Sequence, residues 1–271
     1  MRLKMTLISI TDPDDPRVAA FRHVKERDLT GREGRFIAEG KGVVRILASA
    51  ASLCRPESLL LAENRVEAMA DAIVSLPDDV PIYVAGQGVL DAVAGFHLHR
   101  GVLAMGRKPA VRSADDLLAG AASDAVVVCA VGIGNHDNMG GLFRNAAAFG
   151  AQGVLMDAGC CDPFYRKAVR VSVGAVLRTP MATSASAEAM LDDLDAAGFE
   201  VLALTPSASE PLSAVRGAGR QALLLGAEGP GLPEGVIRRC RAVGVPMAGG
   251  FDSLNVAATS AIALHQLTQV R

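Results

Sequence analysis

The sequence predicts an α/β protein of two domains, and three observations carry that expectation. Strand-like and helix-like segments alternate through both halves of the 271 residues, the pattern of helices layered on sheets. The run AVVVCAVGI over 125–133 is nearly continuously apolar, as in a strand buried on both faces of a parallel sheet. Between the halves, 109–124 is polar at both ends and small in its side chains, which reads as a linker or a short helix outside the cores. The expected domains are therefore 1–108 and 125–271, joined by a linker over 109–124.

In the first half, a charged amphipathic helix is expected over 16–27, followed by the strand RFIAEG (35–40) and a helix over 41–53. LLLA (59–62), a helix over 66–74, IYVAG (82–86) and GVLAMGRK (101–108) complete it. In the second half, the strand over 125–133 precedes a helix over 140–149, a strand over 153–156 and helices over 163–171 and 186–197. Strands over 200–204, 222–225 and 242–245 follow, and a helix over 254–270 closes the chain.

Composition bounds the function. With 50% hydrophobic and 21% charged residues the chain can bury a substantial core. None of its apolar runs reaches the roughly 18 residues of a membrane-spanning helix, and MRLKMTLISITDPDDP has too short an apolar stretch for a signal peptide. A cytoplasmic protein without a membrane partner is expected. Five cysteines (Cys54, Cys129, Cys160, Cys161, Cys240) form no C-x-x-C, which argues against a disulfide framework or a structural zinc site. A formal net charge of −2 means that any polyanion must be held by local patches.

Three segments carry candidate chemistry. VPMAGGFDSLNVAA (245–258) ends a strand and begins a helix, with Ser253 as expected N-cap and Leu254 and Asn255 at the first turn, where unpaired backbone donors can meet a ligand. GIGNHDNMGGLFRNAAAFG (132–150) starts G-x-G at Gly132 and Gly134, but Asp137 takes the third glycine's place, so the dinucleotide fingerprint fails. The segment instead offers Asn138 at a helix entrance and Arg144 about two turns on. Arg144 has two readings: a surface arginine or structural ion pair, or a fork for phosphate beside a reacting group. LLLGAEGPGLP (223–233) ends an apolar strand in a glycine-rich loop with one carboxylate, Glu228, where a flat ligand can approach the backbone.

Together, Asn138-Met-Gly-x-x-x-Arg144 with AAAFG, then LLLGAEGPGL, then VPMAGGFDSLNVA resemble the three ordered motifs of the SpoU-type (TrmH-like) branch of the SPOUT RNA methyltransferases. CCDPFYRKAVRVSVGAVLRTP (160–180) resembles one subgroup, and GRFIAEGKGVVRIL (34–47) resembles that family's small ribosomal-protein-like α/β RNA-binding domain. His136-Asp137 stands where the family more usually has Asp-Pro.

The resemblance implies methyl transfer from S-adenosylmethionine to a ribose 2′-hydroxyl of tRNA or rRNA. It also implies a homodimer and a C-terminal SPOUT catalytic domain threaded through a trefoil knot, which periodicity would never suggest. Carried over, it puts the cofactor against Gly226, Val245 and Leu254, with Met247, Leu204 and Thr205 as further walls. The implied catalytic residues are Asn138, Arg144, Glu228, Ser253 and Asn255, and the chemistry asks for no metal. The alternative is a non-catalytic RNA-binding or ribosome-assembly protein that retains the fold.

RNA must be gripped elsewhere. Arg17, Arg22, Lys25, Arg27, Arg32, Arg35, Lys41 and Arg45 form one basic cluster, and Arg166, Lys167, Arg170 and Arg178 a second. With no Trp, 2 Tyr and 8 Phe, recognition by backbone and shape is expected over base stacking.

Overall fold

The computed structural model describes residues 6–22, 26–95, 97–249 and 253–269. Contacts divide the chain into two compact units: Met1–Pro109 with Asp162–Arg178, and Ala110–Cys161 with Thr179–Arg271. Both are mixed α/β.

Unit 1 is built on a five-stranded sheet of β1 (Leu7–Ile10), β2 (Arg35–Glu39), β3 (Arg55–Ala62), β4 (Ile82–Ala85) and β5 (Val102–Arg107), in the order β1-β4-β3-β5-β2. β4 pairs in parallel with β1 and β3, whereas β5 runs antiparallel to β3 and β2. α1 (Glu26–Gly31), α2 (Lys41–Leu47), α3 (Ala70–Ser75) and α4 (Gln87–Ala94) complete it. Ile10, Phe21, Leu60, Leu90, Val93 and Leu103 form the core of one sheet face, each contributing about 1.5–3 kcal/mol of burial.

Unit 2 carries a seven-stranded sheet of β6 (Val126–Val131), β7 (Gly153–Asp157), β8 (Met181–Ser184), β9 (Glu200–Leu204), β10 (Glu210–Pro211), β11 (Gln221–Gly226) and β12 (Arg241–Gly244). Its order is β10-β12-β9-β11-β6-β7-β8, and every pairing is parallel. All six residues of β6 are buried, as its unbroken apolar run predicts. α5 (Ala114–Leu118) and α6 (His136–Ala148) belong to this unit. α7 (Arg166–Val171) belongs to unit 1 and packs on β2, with Phe36 and Phe164 rings 5.1 Å apart. α8 (Ala187–Ala196), α9 (Glu234–Ile237) and α10 (Val256–Gln269) complete unit 2, with α10 packing on α6 and β11.

The partition into 1–108, a linker over 109–124 and 125–271 differs from these units in two places. Residues 110–124 are part of the second unit's core: α5 buries Ala114, Leu117 and Leu118 in one cluster with Met190 and Leu194 of α8. Ser113 caps that helix in a capping box with Asp116. Residues 162–178 leave the second half's sequence to pack in unit 1.

The elements differ in detail. The helix expected over 16–27 is a 3-10 helix, Pro16–Phe21, and then α1. α2 stops at Leu47 because Ser49 and Ser52 turn their hydroxyls onto the carbonyls of Ile46 (2.7 Å) and Cys54 (3.0 Å). α6 starts a turn before 140, at the N-cap Asn135, whose Oδ1 accepts from the Asp137 N–H at 2.8 Å. β1, β8, β10, α4 and α9 are additions to the expected elements.

Candidate active site

β12, β9 and β11 lie side by side and in parallel, so the loops that leave their carboxyl ends meet at one edge of the sheet. Such strand ends are where open α/β sheets bind ligands. Leu204 and Thr205 leave β9; Thr205 is buried, its N–H donating to the Val243 carbonyl at 3.0 Å. Gly226 ends β11, and its loop doubles back until the Gly231 N–H reaches the Ala227 carbonyl at 3.0 Å. The return passes so close to Gly226 that a Cβ there would lie 2.5 Å from the Gly231 carbonyl carbon and 2.6 Å from the Leu232 nitrogen. Glycine is required there for contact, not for conformation. Val245 and Met247 follow β12.

These ends wall a cavity of about 590 Å³, with Ser253, Leu254 and Asn255 closing it. All six residues expected at the cofactor (Leu204, Thr205, Gly226, Val245, Met247 and Leu254) line it, as do Glu228, Ser253 and Asn255. Asn138 and Arg144 are not among the lining residues.

Asn255 organises the polar wall. Its Oδ1 accepts from the N–H groups of Ala257 at 2.9 Å and Ala258 at 3.3 Å, while its Nδ2 donates to Asn138 Oδ1 at 2.8 Å and Glu228 Oε1 at 3.2 Å. The amide is thereby fixed in one orientation, oxygen to the helix and nitrogen to its two acceptors. Asn255, rather than the expected Ser253, is thus the N-cap of α10. Ser253 is two residues outside the first turn, where its short hydroxyl side chain lines the cavity instead. Asn138, only 4% exposed, is the third residue of α6, so three separate motifs converge on one amide.

The face of α6 that carries Asn138 also holds α10. A Cβ on Gly141 would lie 2.5 Å from the Ala257 Cβ, and Asn145 Nδ2 donates to the Ala257 carbonyl at 2.7 Å and Ser260 Oγ at 2.8 Å. Asn145 is absent from the sequence-predicted site. Its signal is helical spacing: Asn138, Gly141 and Asn145 fall at i, i+3 and i+7 on one face.

Arg144 points elsewhere. Six residues beyond Asn138, it lies about 9 Å further along α6 and roughly 120° round it. It is exposed, and its guanidinium makes no hydrogen bond or ion pair among the described residues. Its exposure removes the desolvation cost that an unpaired guanidinium among apolar neighbours would carry. The thiols of β6 and of the turn after β7 are poor nucleophiles: burial pushes Cys160 up to about 12 and raises the fully enclosed Cys129 as well.

Several cations expected to hold RNA are already engaged. Arg22 pairs with Asp14 at 2.6 Å, Arg35 with Glu57 at 2.7 Å, and Arg166 with the buried Glu39 at 2.8 Å. Arg32, Lys167 and Arg170 are exposed and Lys41 is half-buried. Lys25 lies outside the described residues.

Residues 125–265 match the SpoU rRNA Methylase family. Proteins of Mycobacterium bovis and Mycobacterium tuberculosis, each described as an uncharacterized tRNA/rRNA methyltransferase, are 40% identical to this chain, over 96% of it and 91% of their own length. Among solved structures, the AdoMet-bound rRNA methyltransferase of Sinorhizobium meliloti shares the fold, with TM-score 0.83 and 23% identity over 97% of this chain and 98% of that one. An RNA 2′-O ribose methyltransferase matches with TM-score 0.79 and 25% identity, over 97% of this chain and 99% of its own. The family match spans more than half of the chain and includes every residue that lines the cavity, and the chain belongs to the SpoU rRNA methylase family.

Proposed function

We propose that this protein transfers a methyl group from S-adenosylmethionine to a ribose 2′-hydroxyl of tRNA or rRNA. The observation that carries the reading is Asn255, which ties all three motifs into one hydrogen-bonded wall beside a strand-end cavity. The residues fit the donor. A volume of about 590 Å³ falls in the roughly 300–1,000 Å³ range of small-molecule sites. Gly226 lets the 227–231 loop fold back against the end of β11 and close one wall, and Leu204, Thr205, Val245, Met247 and Leu254 would hold the donor. Bound there, the sulfonium supplies an activated methyl group.

The chain's own residues then need to place an oxygen and relieve it of a proton. A guanidinium with pKa above about 12 is a poor base. Arg144, outside the cavity's lining but exposed and with no partner among the described residues, keeps the role that the family resemblance implies: orienting the 2′-hydroxyl and stabilising the developing alkoxide, the proton leaving to an RNA phosphate or to water. Asn138 and Asn255 hold the wall through their amides, with Glu228 as acceptor and Ser253 facing the RNA. Unit 1 is assigned to RNA binding as a ribosomal-protein-like domain. A trefoil threading of the catalytic unit, a homodimer and a cytoplasmic location complete the proposal, supported by the family membership.

Calorimetric titration with S-adenosylmethionine tests it. Wild-type protein is expected to bind, and Gly226→Val to lose binding because its side chain drives into Gly231 and Leu232. RNA binding with no affinity for the donor would contradict the reading and favour a non-catalytic RNA-binding role.

A further inference from the structure

Unit 1 contains a second concavity, of about 480 Å³, whose lining includes Lys41, Arg65, His99, Arg100, Arg170 and Val173. Its charge is unusual for this unit. Arg17, Arg22, Arg35, Arg45, Arg55, Arg107, Lys108 and Arg166 each sit against a carboxylate. The side chains of Lys41, Arg65, Arg100 and Arg170 have neither an ion pair nor a hydrogen bond among the described residues. The one carboxylate in the lining, Glu39, is taken by Arg166 at 2.8 Å. Four uncompensated cations from four separate places in the chain thus converge on one cleft, a focused positive field.

Backbone geometry marks the same place. Val173 has φ 53, and among the described residues no other non-glycine has positive φ. A β-branched residue in the left-handed region is a true outlier, and such strain collects at functional sites. Val173 is also 46% exposed, so solvent-facing apolar surface sits at the rim beside the cations. In the same lining Arg100 lies over Gly40, where a Cβ would be 3.0 Å from its Nη1.

We infer that this cleft binds the phosphodiester backbone of the substrate RNA, through Lys41, Arg65, Arg100 and Arg170. The inference rests on the RNA-methylation reading and sharpens it: the unit's RNA contacts are these four cations, two of them outside both basic clusters of the sequence, while Arg22, Arg35 and Arg166 hold the fold. Cations spread over separate elements suit a strand carrying several phosphates better than a single small anion. Among the described lining residues His99 is the sole aromatic ring, which favours a contact to backbone and leaves base recognition to other surfaces.

The test is the salt dependence of binding between the full-length protein and fluorescently labelled bulk tRNA and rRNA fragments. Each phosphate contact contributes roughly 0.7–0.9 to the slope of log K against log salt. Arg100→Ala/Arg170→Ala, which alters two exposed side chains, is expected to make the slope shallower by about 1.4–1.8. Arg100→Lys/Arg170→Lys is expected to keep it, as are Arg22→Ala and Arg45→Ala. Donor binding in the alanine variant is expected to match wild type. A wild-type slope in the alanine variant, or an equal loss in the lysine variant, overturns the cleft as the phosphate site while the methyltransferase reading stands. Wild-type protein that binds no RNA at low salt overturns the reading and the inference with it.

Discussion

Asn255 has two jobs on one amide, and its substitutions separate them. Asn255→Ala removes an N-cap, worth about 1 kcal/mol, and strips the buried Asn138 Oδ1 of its donor, worth roughly another 1–3 kcal/mol. Chemical denaturation is expected to show a loss in the sum of those ranges. Asn255→Asp keeps an oxygen for the cap but loses both donations and sets a carboxylate beside Glu228, so it is expected to retain the cap and still lose methyl transfer. Arg144, exposed and without a bond among the described residues, behaves differently: Arg144→Ala is expected to leave stability and donor affinity near wild type. It should lower kcat about 10²–10³-fold, the usual cost of removing one donor from a developing oxyanion. Equal turnover in that variant would remove Arg144 from the chemistry. Both residues were legible as motif positions, but the cap was not. Ser and Asn are near-equal N-caps, and the choice between Ser253 and Asn255 is made by Asn138 and Glu228, which come from distant parts of the chain.

At the scale of elements, α6 and α10 meet across a contact of small residues. Gly141 leaves no room for a side chain against Ala257, while Asn145 bonds the Ala257 carbonyl and Ser260. Gly141→Val is expected to force the helices apart and carry Asn255 away from Asn138, lowering methyl transfer more than an exposed α6 substitution such as Ala148→Val. Activity assays on the two variants at matched folded fraction check it. The long apolar strands and the closing helix were readable because burial on both faces, or a sustained 3.6-residue period, leaves an unambiguous pattern. Short pieces were not. β8 is four residues, MATS, with polar groups inside it, and the composition of 109–124 reads as a linker or a short helix outside the cores, whereas α5 is a core helix. Ser113-x-x-Asp116 and the i, i+3, i+4 spacing of Ala114, Leu117 and Leu118 were the signals that identify α5 as a core helix.

For the whole molecule, the reading assigns chemistry to unit 2 and RNA binding to unit 1. The sequence could show the two α/β series, since each alternates strands and helices in order. It could not show that 162–178 joins unit 1, because tertiary packing, not local pattern, sends α7 to β2. Ion pairing was equally invisible: the basic clusters looked uniform until Asp14, Glu57 and Glu39 claimed Arg22, Arg35 and Arg166. The most direct measurement is methyl transfer itself. Purified protein is incubated with RNA from cells lacking this gene and isotopically labelled S-adenosylmethionine, and the RNA is digested to nucleosides for mass spectrometry. The predicted result is label in a 2′-O-methylated nucleoside; label confined to methylated bases, or no label from protein that binds both donor and RNA, would contradict it.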